Sequence, residues 1–329
     1  MMQALAPQGF RYGARTFQDI AFHEAAIPGW QQHYVQLSPG PFEGRLDILR
    51  FPGMTVVRER MNVAVEVMET APGDMLTYFC IPSRSGVYRG ELDLTGGSFG
   101  LGSSWSYHGV CPEGSDVLMV MVDRSRVPRL ALPERGALKC GHNPVDVRDM
   151  VDWLMSLMAF YERGGRQTQG EGDEDGNGLD GLLPELILDR IGAHELHTDW
   201  IGQREDRSGK VVRLSRDWLG DRPGELATVS GIANDLNLDA SDLRQAWKAV
   251  FGASLDKILV ARRLDGARRN IIESVESGRR ISDIALDWGF FHWGRFSGRY
   301  REFFGETPTE TKRRYAGRVG DQEGLRAVP

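Results

Sequence analysis

Cysteine is scarce in this chain of 329 residues: Cys80, Cys111 and Cys140 are three in all, with no close C-x-x-C pair. That odd, wide spacing argues against a disulfide framework and a thiolate metal site, and points to three small buried apolar residues. Lysine is scarcer still, 5 against 35 arginines, a skew that genome composition explains as readily as phosphate binding. Long hydrophobic runs are missing. MVDWLMSLMAF at 150–160 falls well short of the roughly 20 residues a membrane helix needs. No basic stretch followed by an apolar run opens the chain, so the expected compartment is the cytoplasm and no membrane partner is expected.

Catalytic signatures are missing too. There is no H-E-x-x-H, H-x-H, G-x-S-x-G, P-loop or G-x-G-x-x-G. His23, His33, His108, His142, His194, His197 and His292 are scattered, and the i,i+3 pair His194/His197 offers two metal ligands without a third. No metal, cofactor or catalytic residue is expected. GGSFGLGSSW at 96–105 reads as a loop between strands rather than a phosphate cradle.

What is present is an ordinary globular composition, 41% hydrophobic and 26% charged, long enough for two domains. The net charge of −6 argues against nucleic acid but hides an asymmetry. Residues 204–316 hold 21 basic against 17 acidic side chains; the remainder holds 19 against 29. A mildly basic module is joined to an acidic one.

Residues 17–140 alternate short apolar runs (RLDILRF, MLTYFCI, DVLMVMVD) with Gly/Pro/Ser clusters. This predicts a mostly antiparallel β domain, a barrel or sandwich of cupin-like form. Val147, Met150, Val151, Leu154, Leu157, Met158 and Tyr161 then form a helical stripe. It either covers the β domain or mediates dimerisation. Residues 163–178, rich in Gly and acid, read as a flexible loop, and helices follow. The predicted division is an α+β arrangement: 1–200 β-rich with helices after 145, 204–316 all-α, and a disordered tail over 317–329.

The C-terminal third repeats itself. Val229, Ser230, Ile232 and Ala233 match Ile281, Ser282, Ile284 and Ala285 at an offset of 52. Leu243, Trp247, Lys248, Phe251 and Gly252 match Phe296, Tyr300, Arg301, Phe304 and Gly305 at 53, so one extra residue sits in the second turn. Each copy reads as a capped short helix, a tight turn and an amphipathic helix ended by Gly: helix-turn-helix units at 228–251 and 281–304. The turn residue must tolerate positive φ, which Gly289 does freely and Asn237 does next best. Residues 254–274 predict a connecting helix. Its Arg262, Arg263, Arg268 and Arg269 are either a solvated face or phosphate contacts, whereas Trp247 belongs in the core.

Residues 226–315 resemble the DNA-binding domain of the AraC family of transcriptional regulators. The resemblance rests on both units, on Ala261-Arg262-Arg263-Leu264-x-x-Ala267, and on Ile284-Ala285-x-x-x-Gly289-Phe290 … Phe296-Ser297 … Tyr300-Arg301-x-x-Phe304-Gly305-x-x-Pro308. It implies about seven helices, with recognition helices near 240–250 and 293–303 entering successive major-groove segments of double-stranded DNA about 34 Å apart. Carried over by position, base reading falls on Ser241, Arg244 and Gln245 in the first unit, and on His292, Trp293 and Arg295 in the second. Phosphate contacts and positioning fall on Lys248, Arg262, Arg263, Arg299 and Arg301. Gly294 and Gly298 leave the second unit with fewer side chains to read with. Trp293 is either core or a contact to a thymine methyl.

Trp30-Gln31-Gln32-x-Tyr34-x-Gln36-Leu37-x-Pro39-Gly40-x-Phe42-x-Gly44 resembles the start of the sensor domain in family members similar to the ethanolamine-operon regulator. This implies a small effector of the amine type, such as ethanolamine. Glu59, Glu66, Tyr78 and Trp105 are candidate pocket residues, and each is equally a surface charge or core aromatic. The family also implies a possible homodimer and, for an activator, contact with RNA polymerase. Alternatives are a β domain serving only as an oligomerisation or protein-interaction module, or a metal-dependent cupin-type enzyme domain.

Overall fold

The computed structural model describes residues 11–27, 29–90, 92–127, 136–163, 179–195, 199–201, 206–220 and 226–326. The 163–178 loop therefore lies outside the described residues save Arg163, as does His197.

The N-terminal region is built on two antiparallel sheets. The strands are β1 (Arg11–Phe17), β2 (Gln31–Gln36), β3 (Gly44–Phe51), β4 (Met54–Met61), β5 (Val65–Thr70), β6 (Met75–Cys80), β7 (Arg89–Gly90), β8 (Ser98–Gly102), β9 (Ser106–Cys111), β10 (Ser115–Asp123), β11 (Leu138–His142) and β12 (Asp199–Ile201). A short helix α1 (Ile20–Glu24) follows β1. One sheet runs β1-β3-β4-β10-β6-β8-β11-β12 and the other β2-β5-β9-β7. Among the described residues no strand joins the two, so of barrel and sandwich the chain takes the open, two-sheet form rather than a closed barrel.

The central strands of the larger sheet are buried on both faces. Val56, Tyr78, Leu118, Val120 and Val122 point one way, into a core shared with helices. Val57, Phe79, Met119 and Met121 point the other way, into the space between the sheets. Double burial is why these strands read as unbroken apolar runs. The helical stripe is α2 (Pro144–Glu162), opened by Asn143 accepting from the Asp146 N–H. Its Val147, Met150, Val151, Leu154, Met158 and Tyr161 pack, together with α3 (Leu179–Glu195), on the outer face of the larger sheet. Of the two uses open to that stripe, it covers the β layer. Cys80, Cys111 and Cys140 are buried free thiols, and burial pushes that of Cys140 up to about 12.

The C-terminal region is helical: α4 (Arg207–Gly220), α5 (Val229–Asp235), α6 (Ala240–Phe251), α7 (Leu255–Ser277), α8 (Ile281–Asp287), α9 (Trp293–Phe304) and α10 (Pro308–Arg326). It has two cores. Val212, Ile232, Leu243, Trp247, Phe251, Leu255 and Ile258 form one; Leu264, Ala267, Ile271, Ile284, Phe296, Tyr300 and Phe304 form the other. The first half of α7 thus belongs to the first unit and the second half to the second. Asn237 at φ 52 and Gly289 at φ 76 occupy the left-handed turn position of each unit, and α6 and α9 both end on left-handed glycines, Gly252 and Gly305. No described helix is long and apolar enough to cross a membrane.

Candidate nucleic-acid interface and sheet cavity

Each long helix of the two units is anchored by an aromatic side chain on its inner face. Trp247 is fully buried and its indole N–H donates to Ser215 of α4 at 2.8 Å. Tyr300, equally buried, pairs its hydroxyl with Thr311 of α10 at 2.9 Å. Burying such a ring is worth roughly 1.5–3 kcal/mol or more. With that face fixed, the other side of each helix is turned outward.

The outward face of α6 carries Ser241, Arg244, Gln245 and Lys248, all exposed. Arg244 Nε donates to Asp256 Oδ2 at 2.8 Å; both partners are half exposed, a pairing worth little and free to be exchanged for another acceptor. The Lys248 ammonium donates to the Gly252 carbonyl at the helix end. On α9 and the residue before it, His292, Trp293, Arg295, Arg299 and Arg301 are exposed. Trp293 keeps 46% of its surface in solvent and Phe291 74%, so Trp293 belongs to the outer surface more than to the core.

The arginines of α7 have a different environment. Arg262 donates from Nε and Nη2 to the two carboxylate oxygens of Glu66, at 2.9 and 2.8 Å. Arg269 holds Glu24 at 2.6 and 3.0 Å and donates to the Tyr34 carbonyl at 3.1 Å. Arg268, almost fully buried, holds Asp19 and Glu306, each at 2.8 Å. Arg262 is therefore committed inside the protein rather than presented to solvent. The reason is helical phase: Arg262 and Arg269 are seven residues, about two turns, apart and share the face of α7 turned to β2 and β5. Arg263 lies over Phe290 and beside Arg299; burial and that neighbouring charge lower its pKa.

Glu66 is fully buried. Burial alone would raise its pKa, but Arg262 and His108, the latter at 2.8 Å, outweigh it and hold the carboxylate well below the usual range. The His108 ring in turn packs against Phe251 at 4.7 Å and Trp247 at 6.0 Å. The second unit is held separately: the Gly40 N–H and the Gln36 amide both donate to the Phe303 carbonyl at 3.0 Å.

Between the two sheets lies a cavity of about 50 Å³ lined by Tyr34, Glu59, Val67, Glu69, Phe79, Tyr88, Trp105, Tyr107, Cys111 and apolar neighbours. Of the four expected pocket residues, Glu59 and Trp105 line it. Glu66 and Tyr78 do not. They sit on the opposite faces of their strands, Glu66 toward α7 and Tyr78 toward α2, because neighbouring residues of a strand point to opposite sides. Glu69 and Phe79 occupy the inward positions that sequence reasoning missed. Glu59 is held by His23 at 2.8 Å and by the Tyr34 hydroxyl at 3.3 Å. Among the described residues no group of three or more His, Cys, Asp or Glu is placed to hold a metal ion.

The smaller sheet therefore works as a plate. Tyr34, Val67, Glu69 and Tyr107 face the cavity, while Glu66, Met68 and His108 face the helical region.

Comparison with known proteins fits this geometry. A family described as "Helix-turn-helix domain" matches residues 232–314. The C-terminal region is a helix-turn-helix domain of the AraC type. The chain is similar to the "XylDLEGF operon transcriptional activator 1" of Pseudomonas putida, 43% identical over 139 residues, 41% of this chain and 39% of that protein. It is similar also to the "Probable thc operon regulatory protein" of Rhodococcus erythropolis, 29% identical over 103 residues, 31% of each chain. The match thus spans under two fifths of the length of these relatives. Among solved structures, the AraC-like transcriptional activator CuxR is 14% identical over 77% of this chain and 94% of its own, with a TM-score of 0.37. ToxT from Vibrio cholerae is 13% identical over 86% and 97%, with a TM-score of 0.26.

Proposed function

We propose that the protein is a sequence-specific, double-stranded-DNA-binding transcriptional regulator, acting in the cytoplasm, whose N-terminal domain senses a small molecule or partner. The observation that carries this reading is the pair of outward faces on α6 and α9, each backed by its own core and joined through the single helix α7. Arg244 is suited to a guanine edge and Gln245 to an adenine, each through two hydrogen bonds. Trp293 supplies an apolar contact to a thymine methyl, and Lys248, Arg299 and Arg301 supply charge for phosphates; Arg295, a base-reading position by resemblance, joins them here because Gly294 and Gly298 leave the second unit little surface to read bases with. Arg262 joins the phosphate contacts only in a state where its hold on Glu66 is released.

Control by the N-terminal domain follows from the plate. A ligand that displaces Tyr34 or Glu69 moves the strands on which Arg269 and Arg262 are seated, and so biases how α7 presents the two units. A second reading, in which this domain serves oligomerisation, is favoured by the solvent-facing apolar side chains of Phe160, Leu182 and Leu186 on α2 and α3. An activator of this kind would also contact RNA polymerase.

The test is fluorescence anisotropy of the full-length protein on its own upstream intergenic DNA, across a salt series and against scrambled DNA, with Arg244→Ala in parallel. A preference for the natural sequence that Arg244→Ala removes is expected. Equal binding to both DNAs at every salt concentration, unchanged in the variant, would sink the proposal.

A further inference from the structure

The run Gln36-Leu37-Ser38-Pro39-Gly40-Pro41 closes β2 and leads toward β3. None of its six residues lines the cavity between the sheets. The run stands instead at the junction with the helical region, where it reaches both helix-turn-helix units. Leu37, half-buried, packs against the first core. The Gln36 amide and the Gly40 N–H both donate to the Phe303 carbonyl of the second unit. The Pro41 ring lies beside Gly305, where an added Cβ would meet it at 3.3 Å.

The contact to Phe303 is matched to its place. Phe303 is in the last turn of α9, whose final carbonyls have no partner within the helix and carry its negative dipole end. A carbonyl oxygen has two lone pairs, and here two donors fill them. Gln36 is fully buried, and its amide nitrogen also donates to the Ser38 and Gly40 carbonyls at 2.8 and 2.7 Å. One side chain thus shapes the turn that follows it and ties that turn to α9. The turn is in its own right fixed to the sheet region: the Leu37 N–H donates to the Ala64 carbonyl at 2.7 Å, the Ala64 N–H to the Ser38 hydroxyl at 2.9 Å, and the Asn62 amide to the Pro41 carbonyl at 3.0 Å.

The first unit is seated at the same end. His108 packs against Phe251, and a Cβ at Gly252 would meet the Arg89 side chain at 2.7 Å. Both long helices therefore stand on the β domain by their C-terminal ends. Between Leu259 and Leu264, α7 passes from one core to the other, and a twist there turns one outward face against the other. The 36–41 segment spans the same gap on the sheet side, so the two units, α7 and this segment close a ring.

We propose that the 36–41 segment is a brace that holds the two outward faces in one angular relation, with Gln36 as its positioning residue, so that the protein accepts one spacing between the two DNA segments it reads. Helix α7 sets the angle, and the brace narrows its spread. The consequence for DNA rests on the sequence-reading proposal above; the brace does not. One base pair inserted between the segments turns one against the other by about 35° and moves it by about 3.4 Å. A braced protein loses contacts over that step, whereas a loosened one twists to follow it.

Two measurements on the full-length protein test this. The first is the distance distribution, without DNA, between spin labels at Gln245→Cys and Gly298→Cys, both exposed positions; the native thiols are buried. One narrow peak is expected, and Gln36→Met, which keeps the bulk and removes the amide, should widen it about twofold or more. Leu37→Ala, which leaves the hydrogen bonds of the turn in place, should widen it less, and gives the same reading if Gln36→Met fails to fold by far-UV circular dichroism. The second is anisotropy on the upstream sequence with one base pair inserted or deleted between the segments read by α6 and α9. Wild type should favour the natural spacing by about 30-fold, and Gln36→Met by under about fivefold, chiefly through tighter binding to the altered spacings. A variant that is merely destabilised weakens at every spacing and keeps the ratio, as Arg244→Ala should. An unchanged peak width in the folded variant overturns the brace, as does an unchanged spacing ratio. If the peak widens as expected while wild type shows no preference among spacings or over scrambled DNA, the brace stands and the sequence-reading proposal falls.

Discussion

The two helix-turn-helix units share one scaffold and differ in nearly everything mounted on it. The first is well capped: Thr228 accepts from the Gly231 N–H at the start of α5, and Asp239 accepts from Ser241 and Asp242 at the start of α6. The second opens α8 on Arg280 and α9 on His292, neither making a side-chain cap. The first presents Arg244 and Gln245; the second presents Trp293 just before Gly294, and Arg295 between Gly294 and Gly298. The first touches the β plate through His108 and the second through the Phe303 carbonyl. The difference teaches that repetition fixed the cores and turns and left caps, outward faces and attachments to diverge.

The largest expected effects test whether the cores are equivalent. Trp247→Ala and Tyr300→Ala should each cost about 3–5 kcal/mol, because each opens a cavity and strands a polar partner. Denaturant unfolding measures this, and a small loss in either would show that one unit is less tightly built than its copy.

Next come the attachments. Arg262→Ala leaves Glu66 buried without its ion-pair partner and should cost about 3 kcal/mol, near the lower end for a broken buried pair. Arg268→Ala strands Asp19 and should cost a similar amount. Both carboxylates have depressed pKa values, Glu66 through Arg262 and His108 and Asp19 through Arg268 and Tyr315, each against the opposing effect of burial. Their stabilisation is therefore present above the ordinary carboxylate pKa of about 4 and is lost only as pH falls through the lower folded-state value. Wild type should hold its unfolding midpoint from pH 7 to 5, and its advantage over either variant should shrink as pH falls below about 4 and the carboxylates take up protons; an advantage that stays constant from pH 7 to 3 would contradict this.

The reading faces follow. Arg244→Ala should cost about 1–3 kcal/mol on the specific site and little on scrambled DNA, as for a base contact. Arg295→Ala should weaken both DNAs by similar factors and lower the salt slope by about one, as for a phosphate contact. Anisotropy separates the two, and equal loss of sequence preference would erase the distinction between the units.

The smallest effect concerns the caps. Thr228→Ala should cost about 1 kcal/mol, whereas Arg280→Ser, supplying the missing cap, should gain about 0.5 kcal/mol. Thermal melts of the two variants test this directly.

Much of the C-terminal region was legible because its signals are local: a residue that tolerates positive φ at 237 and 289, a glycine after each long helix, and an offset that places both cores. The arginines of α7 were not legible. A helical pattern marks a polar face, but what covers that face lies far along the chain, 196 residues away for Glu66 and 249 for Asp19. The cavity was half legible for a related reason. A strand buried on both sides has no alternation to say which face is which, so Glu66 and Tyr78 were placed a side away from Glu69 and Phe79.

Because α7 gives one half to each core, it acts as a gear between them. Its buried first-core residues end at Leu259 and its buried second-core residues begin at Leu264, with the half-buried Val260 already packed against the second core. One residue inserted between them would turn the second unit by about 100° and advance it by about 1.5 Å relative to the first. On the proposed DNA-binding reading, each base-pair step changes advance and turn together, so respacing the operator does not match that change, and the angular phase of the bound sequence is written into the residue count of this one helix.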